Sequence, residues 1–481
     1  MALYVNDQAI DISQLPADTS LLQLLRQQQL TGTKEGCASG DCGACTVMVI
    51  DGCHKTPNVK AINSCICPVS SLQNQQVVTV EGLSQGPASE LHPTQQAMVE
   101  CHGSQCGFCT PGFVMSIAAL KAKRPDLASA PLEQQRQAVL DAISGNLCRC
   151  TGYRPIVAAG CQSLEKPAQP FNFVHGNDSS APCSSTTSVQ KADQTYLQPN
   201  SEVALQQAMT NYPSARLIAG GTDLMLEVTQ QFQPIEQLID ISQVAELTQT
   251  TFGDDTILIG AAVTYTELEQ QFAELAPEFV ALLHRLGSRQ IRNRGTLGGN
   301  ICNASPIADT PPVLLALNAQ LHLVNAAGQR RQLPLSEFYL GYKQTAMAAD
   351  EYLAAIEVRR AALNQPIRLY KVSKRYEDDI SAVMAAFSLT PEGQLTIAFG
   401  GMAATPIRAV ITEKSLQLGA DGQFDPSMVT AATVTLANEF SPLSDVRASA
   451  DYRTQVAANL LKKACLELCQ PALAIGVFAH A

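Results

Sequence analysis

The sequence of residues 36–45 is GCASGDCGAC. Its cysteines follow the spacing Cys37-x4-Cys42-x2-Cys45, and Cys65 lies further along the chain. This is the plant-type ferredoxin pattern, in which four thiolates surround the two iron ions of a [2Fe-2S] cluster. The glycines between the cysteines allow backbone N–H groups to approach the sulfurs and stabilise the anionic cluster. The pattern therefore predicts an iron–sulfur loop within a β-grasp fold.

A second group of four cysteines follows, with the spacings Cys106-x2-Cys109 and Cys148-x-Cys150. The first pair directly precedes a predicted helix with an apolar stripe, and the second precedes a helix that starts near Pro155. Two helix N-termini would thus face one site, where their partial positive charge favours a net negative cluster. We expect a second [2Fe-2S] cluster here, in a small helical bundle.

Zinc is the alternative metal for both groups, because cysteine quartets also form structural zinc sites. Cys67 is a weaker candidate than Cys65 for the fourth position of the first group. Cys465 and Cys469 lie four residues apart and are expected to share the buried face of one helix. We assign no role to the cysteines without a ligand spacing, which are Cys53, Cys101, Cys161, Cys183 and Cys302.

The composition limits the class of protein. With 481 residues the chain is too long for one hydrophobic core. A net charge of -11 repels phosphate backbones, so nucleic acid is an unexpected partner. No apolar run is long enough to span a membrane and the start has no signal-peptide pattern, so we expect a cytoplasmic protein without a membrane partner. In that compartment sixteen cysteines favour metal or redox chemistry over disulfides.

Changes in composition along the chain predict five segments and an α+β multidomain fold. A β-grasp unit covers residues 1–85, a helical bundle residues 86–165, and a Ser-, Pro- and Asn-rich linker residues 166–194. Mixed helices and short strands then predict an α+β domain at 195–365 and another at 366–481. No Gly-x-Gly-x-x-Gly motif opens a βα unit, so a Rossmann fold is not expected.

Two Gly-rich stretches in the second half could hold a diphosphate on backbone N–H groups. They are IAGGTD at residues 218–223 and TLGGN at residues 296–300. Taken alone, each stretch is better explained as an ordinary glycine turn. The charged run at residues 375–380, taken alone, is a solvated surface loop.

The cysteine motifs GCASGDCGAC, QCGFCTPGFVM and GNLCRCTGYRPI resemble the iron–sulfur segments of the molybdenum hydroxylases, over residues 1–165. This resemblance implies that the first quartet holds the cluster nearer a flavin, and the second the cluster nearer molybdenum. The stretches IAGGTDLM, RGTLGGNICNASPIADTPP and GGMAATPIRA resemble the flavin-binding domain of the xanthine dehydrogenases within that family. They imply an FAD-binding domain at 195–365 and a flavoprotein C-terminal domain at 366–481.

The resemblance also implies individual contacts. The residues that match FAD-binding positions are Gly220, Gly221, Thr222, Asp223, Gly298, Gly299, Asn300, Ser305, Asp309 and Lys371. Asp378 lies in a loop that matches one beside the isoalloxazine ring, and Tyr342 matches a residue near the nicotinamide, although a core tyrosine fits its pattern equally well. The chain departs from the family at Arg375-Tyr376, where two arginines are common, and at Leu286, where an aromatic residue is common.

The resemblance to the xanthine dehydrogenases implies an electron-transfer subunit. Electrons would pass from a molybdopterin-binding large subunit, in a heterodimer or a dimer of heterodimers, through both clusters to FAD and then to NAD⁺. Because the chain ends at residue 481 without a large further region, we expect oxidation of xanthine or hypoxanthine to urate on the partner. Two alternatives stay open. One is the equivalent subunit for an aldehyde, a nicotinate or an aromatic acyl thioester, and the other is an electron carrier with clusters alone.

Overall fold

The computed structural model describes residues 2–51, 58–84, 91–167, 187–191 and 194–470. They form two compact units, one of Met1–Val244 with Gly287–Gly295 and one of Ala245–Leu286 with Thr296–Ala481. Most of the predicted linker, together with Cys53 and Cys183, lies outside the described residues. Within the described residues, no helix is both long and apolar enough to cross a membrane.

The first unit begins with a five-stranded sheet. Its strands are β1 (Ala2–Val5), β2 (Gln8–Asp11), β3 (Thr46–Asp51), β4 (Asn58–Asn63) and β5 (Gln76–Val78), in the order β2-β1-β5-β3-β4. Strands β1 and β5 are parallel, and the other neighbours are antiparallel. Helix α1 (Leu21–Gln27) starts with a capping box between Ser20 and Gln23 and buries Leu21, Leu24 and Leu25 against the sheet. This is the predicted β-grasp arrangement.

Four helices form the predicted bundle. They are α2 (Pro93–Glu100), α3 (Thr110–Lys123), α4 (Leu132–Ala142) and α5 (Arg154–Glu165). Helix α3 is buried along most of its length because Phe113 and Ile117 join a core that also includes residues of β3 and β4. Its N-cap is Cys109, and the N-cap of α5 is Tyr153. Both helix starts therefore border a cysteine pair.

A second sheet completes the first unit. Its strands are β6 (Thr187–Lys191), β7 (Gln194–Gln198), β8 (Arg216–Ile218) and β9 (Gln237–Asp240), in the order β6-β7-β9-β8. Strand β9 is parallel to both β7 and β8. Helix α6 (Glu202–Asn211) connects β7 to β8, and α7 (Met225–Thr229) follows β8. The first Gly-rich stretch thus lies at the carboxyl end of a parallel strand, where α/β sheets commonly bind ligands.

The second unit contains an antiparallel sheet of five strands. They are β10 (Thr250–Phe252), β11 (Thr256–Gly260), β12 (Gln320–Asn325), β13 (Arg330–Pro334) and β16 (Glu351–Arg359), in the order β10-β11-β16-β12-β13. A hairpin of β14 (Tyr339–Gly341) and β15 (Gln344–Thr345) precedes β16. The helices are α8 (Tyr265–Gln271), α9 (Pro277–His284), α10 (Arg289–Arg292), α11 (Leu297–Cys302) and α12 (Thr310–Ala316). Of these, α10 belongs to the segment that joins the first unit.

A four-stranded antiparallel sheet ends the second unit. Helix α13 (Arg360–Leu363) leads to β17 (Ile367–Val372), β18 (Val383–Leu389), β19 (Leu395–Gly400) and β20 (Ile407–Arg408). The helices α14 (Val410–Lys414), α15 (Pro426–Glu439) and α16 (Ala450–Cys469) follow. Phe387, Phe399 and Leu461 belong to the core between this sheet and the long helices. Cys465 is buried there and Cys469 is partly buried, as their spacing predicts.

The α+β multidomain fold is confirmed, and the sheet β6-β7-β9-β8, whose strand β8 precedes IAGGTD, does not have a Rossmann topology. The exact domain boundaries stay predictions. Residues 187–191, inside the predicted linker, form strand β6, which pairs with β7. The composition of this stretch did not indicate a strand. The hydrogen bonds that stabilise it come from β7, and composition carries no information about such a pairing.

Candidate cluster and flavin sites

The four cysteines of the first quartet contact one another. The Cys37 thiol is within hydrogen-bonding range of the thiols of Cys42 and Cys65, and Cys45 contacts Cys65. Cys45 and Cys65 are 2% exposed, whereas Cys37 and Cys42 are partly exposed. The Sγ of Cys67 lies instead against the carbonyl of Pro68 and the hydroxyl of Ser71, 3.6 and 3.7 Å away. The geometry therefore favours Cys65 over Cys67 as the fourth ligand.

The glycines of this loop have distinct structural roles. Gly40 and Gly43 have φ values of +84° and +63°, which side chains disfavour. A Cβ on Gly36 would lie 2.8 Å from the Sγ of Cys42, so a side chain there would displace the thiol. The N–H of Ser39 donates to the Sγ of Cys37 over 3.4 Å. Paired thiols with an N–H donor fit the chemistry of an iron–sulfur cluster.

The second quartet also approaches in pairs. The sulfurs of Cys106 and Cys150 are 3.4 Å apart, and Cys109 contacts Cys148. The N–H of Cys148 donates to the Tyr153 hydroxyl over 2.9 Å, which holds this part of the loop to the start of α5. Burial raises the pKa of the Cys109 thiol to about 12, so binding of a metal as thiolate releases a proton there.

The second quartet thus approaches as two pairs, whereas in the first quartet Cys65 contacts both Cys37 and Cys45. Among the described residues, no three His, Cys, Asp or Glu side chains are arranged to hold a single metal ion. Two irons with two cysteines each are the usual protein ligation of a [2Fe-2S] cluster.

The two cysteine loops pack directly against each other. A Cβ on Gly43 would lie 2.3 Å from the carbonyl oxygen of Gly145, and one on Gly112 would lie 2.2 Å from that of Gly43. The buried Asn146 side chain donates to the Gly43 carbonyl over 3.0 Å, and the N–H of Leu147 donates to the Cys42 carbonyl over 3.0 Å. The backbones of the two loops are therefore in such close contact that neither Gly43 nor Gly112 leaves room for a side chain.

The two quartets differ in exposure. Cys106 and Cys150 are exposed, and the apolar side chains next to this quartet, Phe108 and Leu147, are 49% and 41% exposed. A cavity of about 340 Å³ lies nearby between α2 and α3, with Leu91, Met98, Val99 and Val114 in its lining. Exposed apolar groups in such a cluster are typical of an interaction surface.

The first Gly-rich stretch lies beside the first quartet. Gly221 has a φ of +75°, and a Cβ there would lie 3.3 Å from the carbonyl oxygen of Ile66, the residue after Cys65. Within the part of the chain that the structure describes, the backbone N–H groups of Gly221 and Thr222 have no hydrogen-bond acceptor. Open N–H groups after a parallel strand suit the diphosphate of a dinucleotide. Asp223 accepts from the N–H of Leu226 through its backbone carbonyl.

Gly220 has another role. A Cβ on it would lie 2.0 Å from the carbonyl oxygen of Arg294, so the crossing of two backbone segments requires a glycine there. The Arg294 side chain also donates to the Gly220 carbonyl over 2.8 Å. This crossing, and not only a ligand, explains why the position is glycine.

The segment Gly287–Gly295 was not singled out from the sequence. Arg289 and Arg292 both pair with Asp141 at the end of α4, over 2.5 and 2.7 Å, and the Arg292 side chain is fully buried. Gln290 donates to the oxygens of Asn146 and Ser116 over 3.0 Å each. These long-range contacts have no local sequence signal. The run of three arginines in SRQIRNRG was the one available hint.

In the second unit the other Gly-rich stretch has its N–H groups occupied. Gly298 donates to the carbonyl of Ala261, and Gly299 to the hydroxyl of Thr296, the N-cap of α11. A Cβ on Gly298 would lie 2.5 Å from Ala261, so this glycine permits close packing. The Asn300 side chain accepts from Thr310 over 2.7 Å. Among the described residues, open N–H groups are thus found at Gly221 and Thr222 of IAGGTD, whereas those of Gly298 and Gly299 in TLGGN are occupied.

The predicted flavin residues Asp309 and Lys371 form one buried cluster. The Lys371 ammonium donates to the Asp309 carboxylate over 2.7 Å and to the Arg285 carbonyl over 2.9 Å. The Ser381 hydroxyl also donates to Asp309. The backbone carbonyl of Ser305 accepts a hydrogen bond from the N–H of Ala308. The structure therefore brings Asp309 and Lys371 together as partners of each other.

The remaining predicted residues are at the surface of the second unit. Tyr342 is 62% exposed at the turn of the β14–β15 hairpin, which argues against a core tyrosine. Asp378 has a φ of +47° in the charged loop. In the same loop Tyr376 is 61% exposed, and the Arg285 guanidinium lies 4.5 Å from its ring centre. Leu286, where an aromatic residue was common, packs at the edge of the large core.

Four family models match the chain in succession. They are a 2Fe-2S iron–sulfur cluster binding domain at residues 3–70, a [2Fe-2S] binding domain at 79–161, an FAD binding domain in molybdopterin dehydrogenase at 188–359, and a CO dehydrogenase flavoprotein C-terminal domain at 368–468. The chain is therefore an iron–sulfur flavoprotein of the oxidoreductase class. It belongs to the molybdenum hydroxylase family.

Relatives of known identity agree. Xanthine dehydrogenase of Drosophila subobscura is 31% identical over all of this chain and 40% of its own length, and xanthine dehydrogenase 1 of Arabidopsis thaliana is 31% identical over 86% of this chain and 36% of its own. The chain thus spans well under half of these relatives.

Among solved structures, a carbon monoxide dehydrogenase from Hydrogenophaga pseudoflava that lacks the Mo-pyranopterin moiety is similar over 58% of this chain and 98% of its own, with a TM-score of 0.53 and 28% identity. Quinoline 2-oxidoreductase from Pseudomonas putida 86 is similar over 59% of this chain and 99% of its own, with a TM-score of 0.53 and 26% identity.

Proposed function

We propose that this chain is the electron-transfer subunit of a cytoplasmic xanthine dehydrogenase. When bound, two [2Fe-2S] clusters and FAD would carry electrons from a molybdopterin-binding partner subunit to NAD⁺, for the oxidation of hypoxanthine and xanthine to urate. The curated xanthine dehydrogenases that match the chain from end to end support this substrate. The roles of the chain's own residues follow from the two cysteine loops and the two Gly-rich stretches.

The ligands of the first cluster are Cys37, Cys42, Cys45 and Cys65. Those of the second are Cys106, Cys109, Cys148 and Cys150. Each set supplies four cysteine sulfurs, each of which contacts at least one other sulfur of its set. The N–H groups of Ser39 and Thr151 donate to the sulfurs of Cys37 and Cys148. Such N–H donors stabilise the negative charge of a thiolate-bound cluster.

One observation carries the order of electron flow. Within the first unit, the second quartet, of which Cys106 and Cys150 are exposed, joins the first through the Leu147–Cys42 hydrogen bond. Cys65 of the first quartet adjoins Ile66, whose carbonyl lies close to the loop at Gly221. The sequence of contacts runs from the surface, through both cysteine loops, to the proposed diphosphate loop. A chain that delivers electrons from an outside donor to FAD needs this order.

The exposed face around the second quartet is the proposed contact with the molybdenum subunit. Electrons from a partner must enter near a cluster that reaches the surface, and Cys106 and Cys150 are the exposed ligands. Phe108 and Leu147 would supply apolar area to that contact. Cys45 and Cys65 are buried and offer no such entry.

In the proposed flavin site, Gly221 and Thr222 bind the FAD diphosphate through their open N–H groups, with Gly220 and Asp223 shaping the loop. For the second unit, considered by itself, we propose Gly298, Gly299, Asn300 and Ser305 as FAD-binding residues. Lys371 and Asp309 would place a buried ion pair among these residues of the second unit.

NAD⁺ is the proposed final acceptor. The exposed ring of Tyr342 and the charged loop with Asp378 would meet the nicotinamide nucleotide. Tyr376, which stands where an arginine is common, stacks under Arg285, so this guanidinium is positioned to supply positive charge beside the loop.

A second candidate is the equivalent subunit for another substrate of the family. The similarity to a carbon monoxide dehydrogenase and to quinoline 2-oxidoreductase favours it, because each covers nearly the whole of the matched chain. An electron carrier with clusters alone disagrees with the FAD binding domain at 188–359.

The test is a pair of steady-state assays. The purified chain should oxidise NADH with an artificial electron acceptor but should not oxidise xanthine. Addition of the partner that co-purifies with it should give xanthine-dependent reduction of NAD⁺. Turnover of quinoline or carbon monoxide, and not of xanthine, would establish the second candidate. If the purified chain contains a full complement of FAD but does not oxidise NADH, NAD⁺ is not its electron acceptor.

A further inference from the structure

The peptide group between Gly220 and Gly221 joins an occupied acceptor to an open donor. Its carbonyl oxygen, on Gly220, accepts a hydrogen bond from the Nε of Arg294 over 2.8 Å. Its N–H group, on Gly221, has no acceptor among the described residues. In a trans peptide the C=O and N–H bonds point to opposite sides of one rigid plane. The arginine that holds the carbonyl therefore also fixes the direction of the N–H.

The charge of this arginine strengthens the open donor. A hydrogen bond from a charged group to a carbonyl polarises the peptide and makes the N–H of the same peptide more positive. The Arg294 side chain is partly buried, so water screens its charge less than at the open surface. Arg294 thus both orients the Gly221 N–H and increases its attraction for an anion.

Further contacts hold Arg294 in this position. Its Nη2 donates to the Ser71 hydroxyl over 3.2 Å, and that hydroxyl donates to the Pro68 carbonyl over 2.7 Å. The same proline borders the loop, since a Cβ on Gly221 would lie 3.3 Å from its Cδ. The Arg294 backbone is close as well, because a Cβ on Gly220 would lie 2.0 Å from its carbonyl oxygen. The arginine and the loop therefore form one closely packed arrangement.

A buried carboxylate restrains the guanidinium further. Asp240 is fully buried and pairs with Ile218, the last residue of β8, in the parallel ladder of β8 and β9. Burial raises the pKa of Asp240, while hydrogen bonds from Tyr196 and Ser242 and the charge of Arg294 oppose this rise. The guanidinium is thus close enough to be attracted by the carboxylate. This attraction keeps the cation at the end of the strand that leads into IAGGTD.

We propose that Arg294 is the positioning residue of the diphosphate loop, which orients and polarises the Gly220–Gly221 peptide so that the Gly221 N–H binds the diphosphate of FAD. This inference rests on the proposed function, which assigns the loop to FAD. Because the arginine acts through a peptide that faces the diphosphate, its loss should weaken ligands that carry a diphosphate. It should not weaken a flavin that lacks one.

The test compares variants that each change one positive charge of the first unit. Arg294→Met removes the donor to Gly220, and Arg294→Lys keeps the charge without the planar fork. Arg216→Met is the matched control, because Arg216 is exposed and its guanidinium pairs with Glu227. The flavin-depleted full chain, with its iron retained, is titrated with FAD, with ADP, which carries the diphosphate alone, and with riboflavin, which has no phosphate. Calorimetry gives each dissociation constant.

We expect Arg294→Met to bind FAD and ADP about tenfold to a hundredfold more weakly than the wild-type chain, the usual loss for a hydrogen bond to a charged group. Riboflavin binding should not change, and Arg216→Met should match the wild-type chain for all three ligands. Arg294→Lys should also weaken FAD and ADP, because an ammonium lacks the fork that holds Gly220 and Ser71 together. This variant decides the test if Arg294→Met does not fold.

Two results would overturn the inference. One is wild-type affinity for FAD in a folded Arg294 variant, and the other is an equal loss of affinity for riboflavin, which would indicate a general effect on the fold. A wild-type chain that binds neither FAD nor ADP would contradict the proposed flavin site, and the inference with it. The failures are distinguishable, because this last one appears before any variant is compared.

Discussion

The close contact between the cysteine loops predicts a large effect of one methyl group. In Gly43→Ala the new Cβ would lie 2.3 Å from the Gly145 carbonyl oxygen and 3.0 Å from the Cα of Asn146, both on backbone that cannot rotate away. Gly43 also has a φ of +63°, where a non-glycine residue is strained. The substitution therefore combines backbone strain with a steric clash between the loops.

A second glycine separates these two effects. Gly152 has a φ of +69°, but a Cβ there would meet nothing within 4 Å. Gly152→Ala should cost only the strain of the left-handed conformation, about 1–3 kcal/mol. Gly43→Ala should cost that amount plus about 1–3 kcal/mol for overpacking. The difference between the two variants isolates the contact between the loops.

Hydrogen exchange of the cluster-loaded chain provides the measurement. Peptides that cover residues 42–50 and 143–150 report the free energy of local opening of each loop. We expect the free energy of local opening to fall in both peptides of Gly43→Ala. The decrease should exceed that in Gly152→Ala by the energy of the steric clash. Equal protection in the two variants would refute the close packing of the loops.

Three further predictions concern pH, metal and flavin. Burial beside Lys121 lowers the pKa of His92 from 6.5 to about 4. Because the unfolded chain then binds the proton more readily than the folded chain, the free energy of unfolding falls as the pH drops. The decrease is about 2 kcal/mol between pH 7 and pH 5. His92→Asn should flatten this dependence in urea titrations, and an unchanged slope would contradict it. Cys148→Ser should remove one paramagnetic resonance signal and spare the other, unless the quartet assignment is wrong. Gly299→Val, whose Cβ would lie 2.8 Å from the Thr296 hydroxyl, should keep iron and lose FAD, and normal flavin content would assign this glycine to the turn alone.

The sequence was most informative where function depends on spacing within a short segment. Cysteine spacing predicted both quartets, and the structure brings the members of each into contact. The helix starts beside Cys109 and Tyr153 follow from proline positions and apolar periodicity, which are local signals. The β-grasp and bundle architecture could be predicted for the same reason.

Long-range packing could not be predicted. Gln290 contacts Asn146 across 144 residues of sequence, and Arg292 contacts Asp141 across 151. Nothing in the local pattern of either segment specifies its distant partner. The two Gly-rich stretches looked alike in sequence, yet only IAGGTD keeps open N–H groups, because those of Gly298 and Gly299 are taken by Ala261 and Thr296. That distinction depends on neighbours from other elements.

The measurement that tests the central claim most directly is the cofactor content of the purified chain. We predict two iron atoms and two labile sulfides for each of the two quartets, one FAD released on denaturation, and two distinct [2Fe-2S] resonance signals after reduction with dithionite. Stoichiometric zinc in either quartet, or a fully loaded iron–sulfur protein that releases no flavin, would contradict the account.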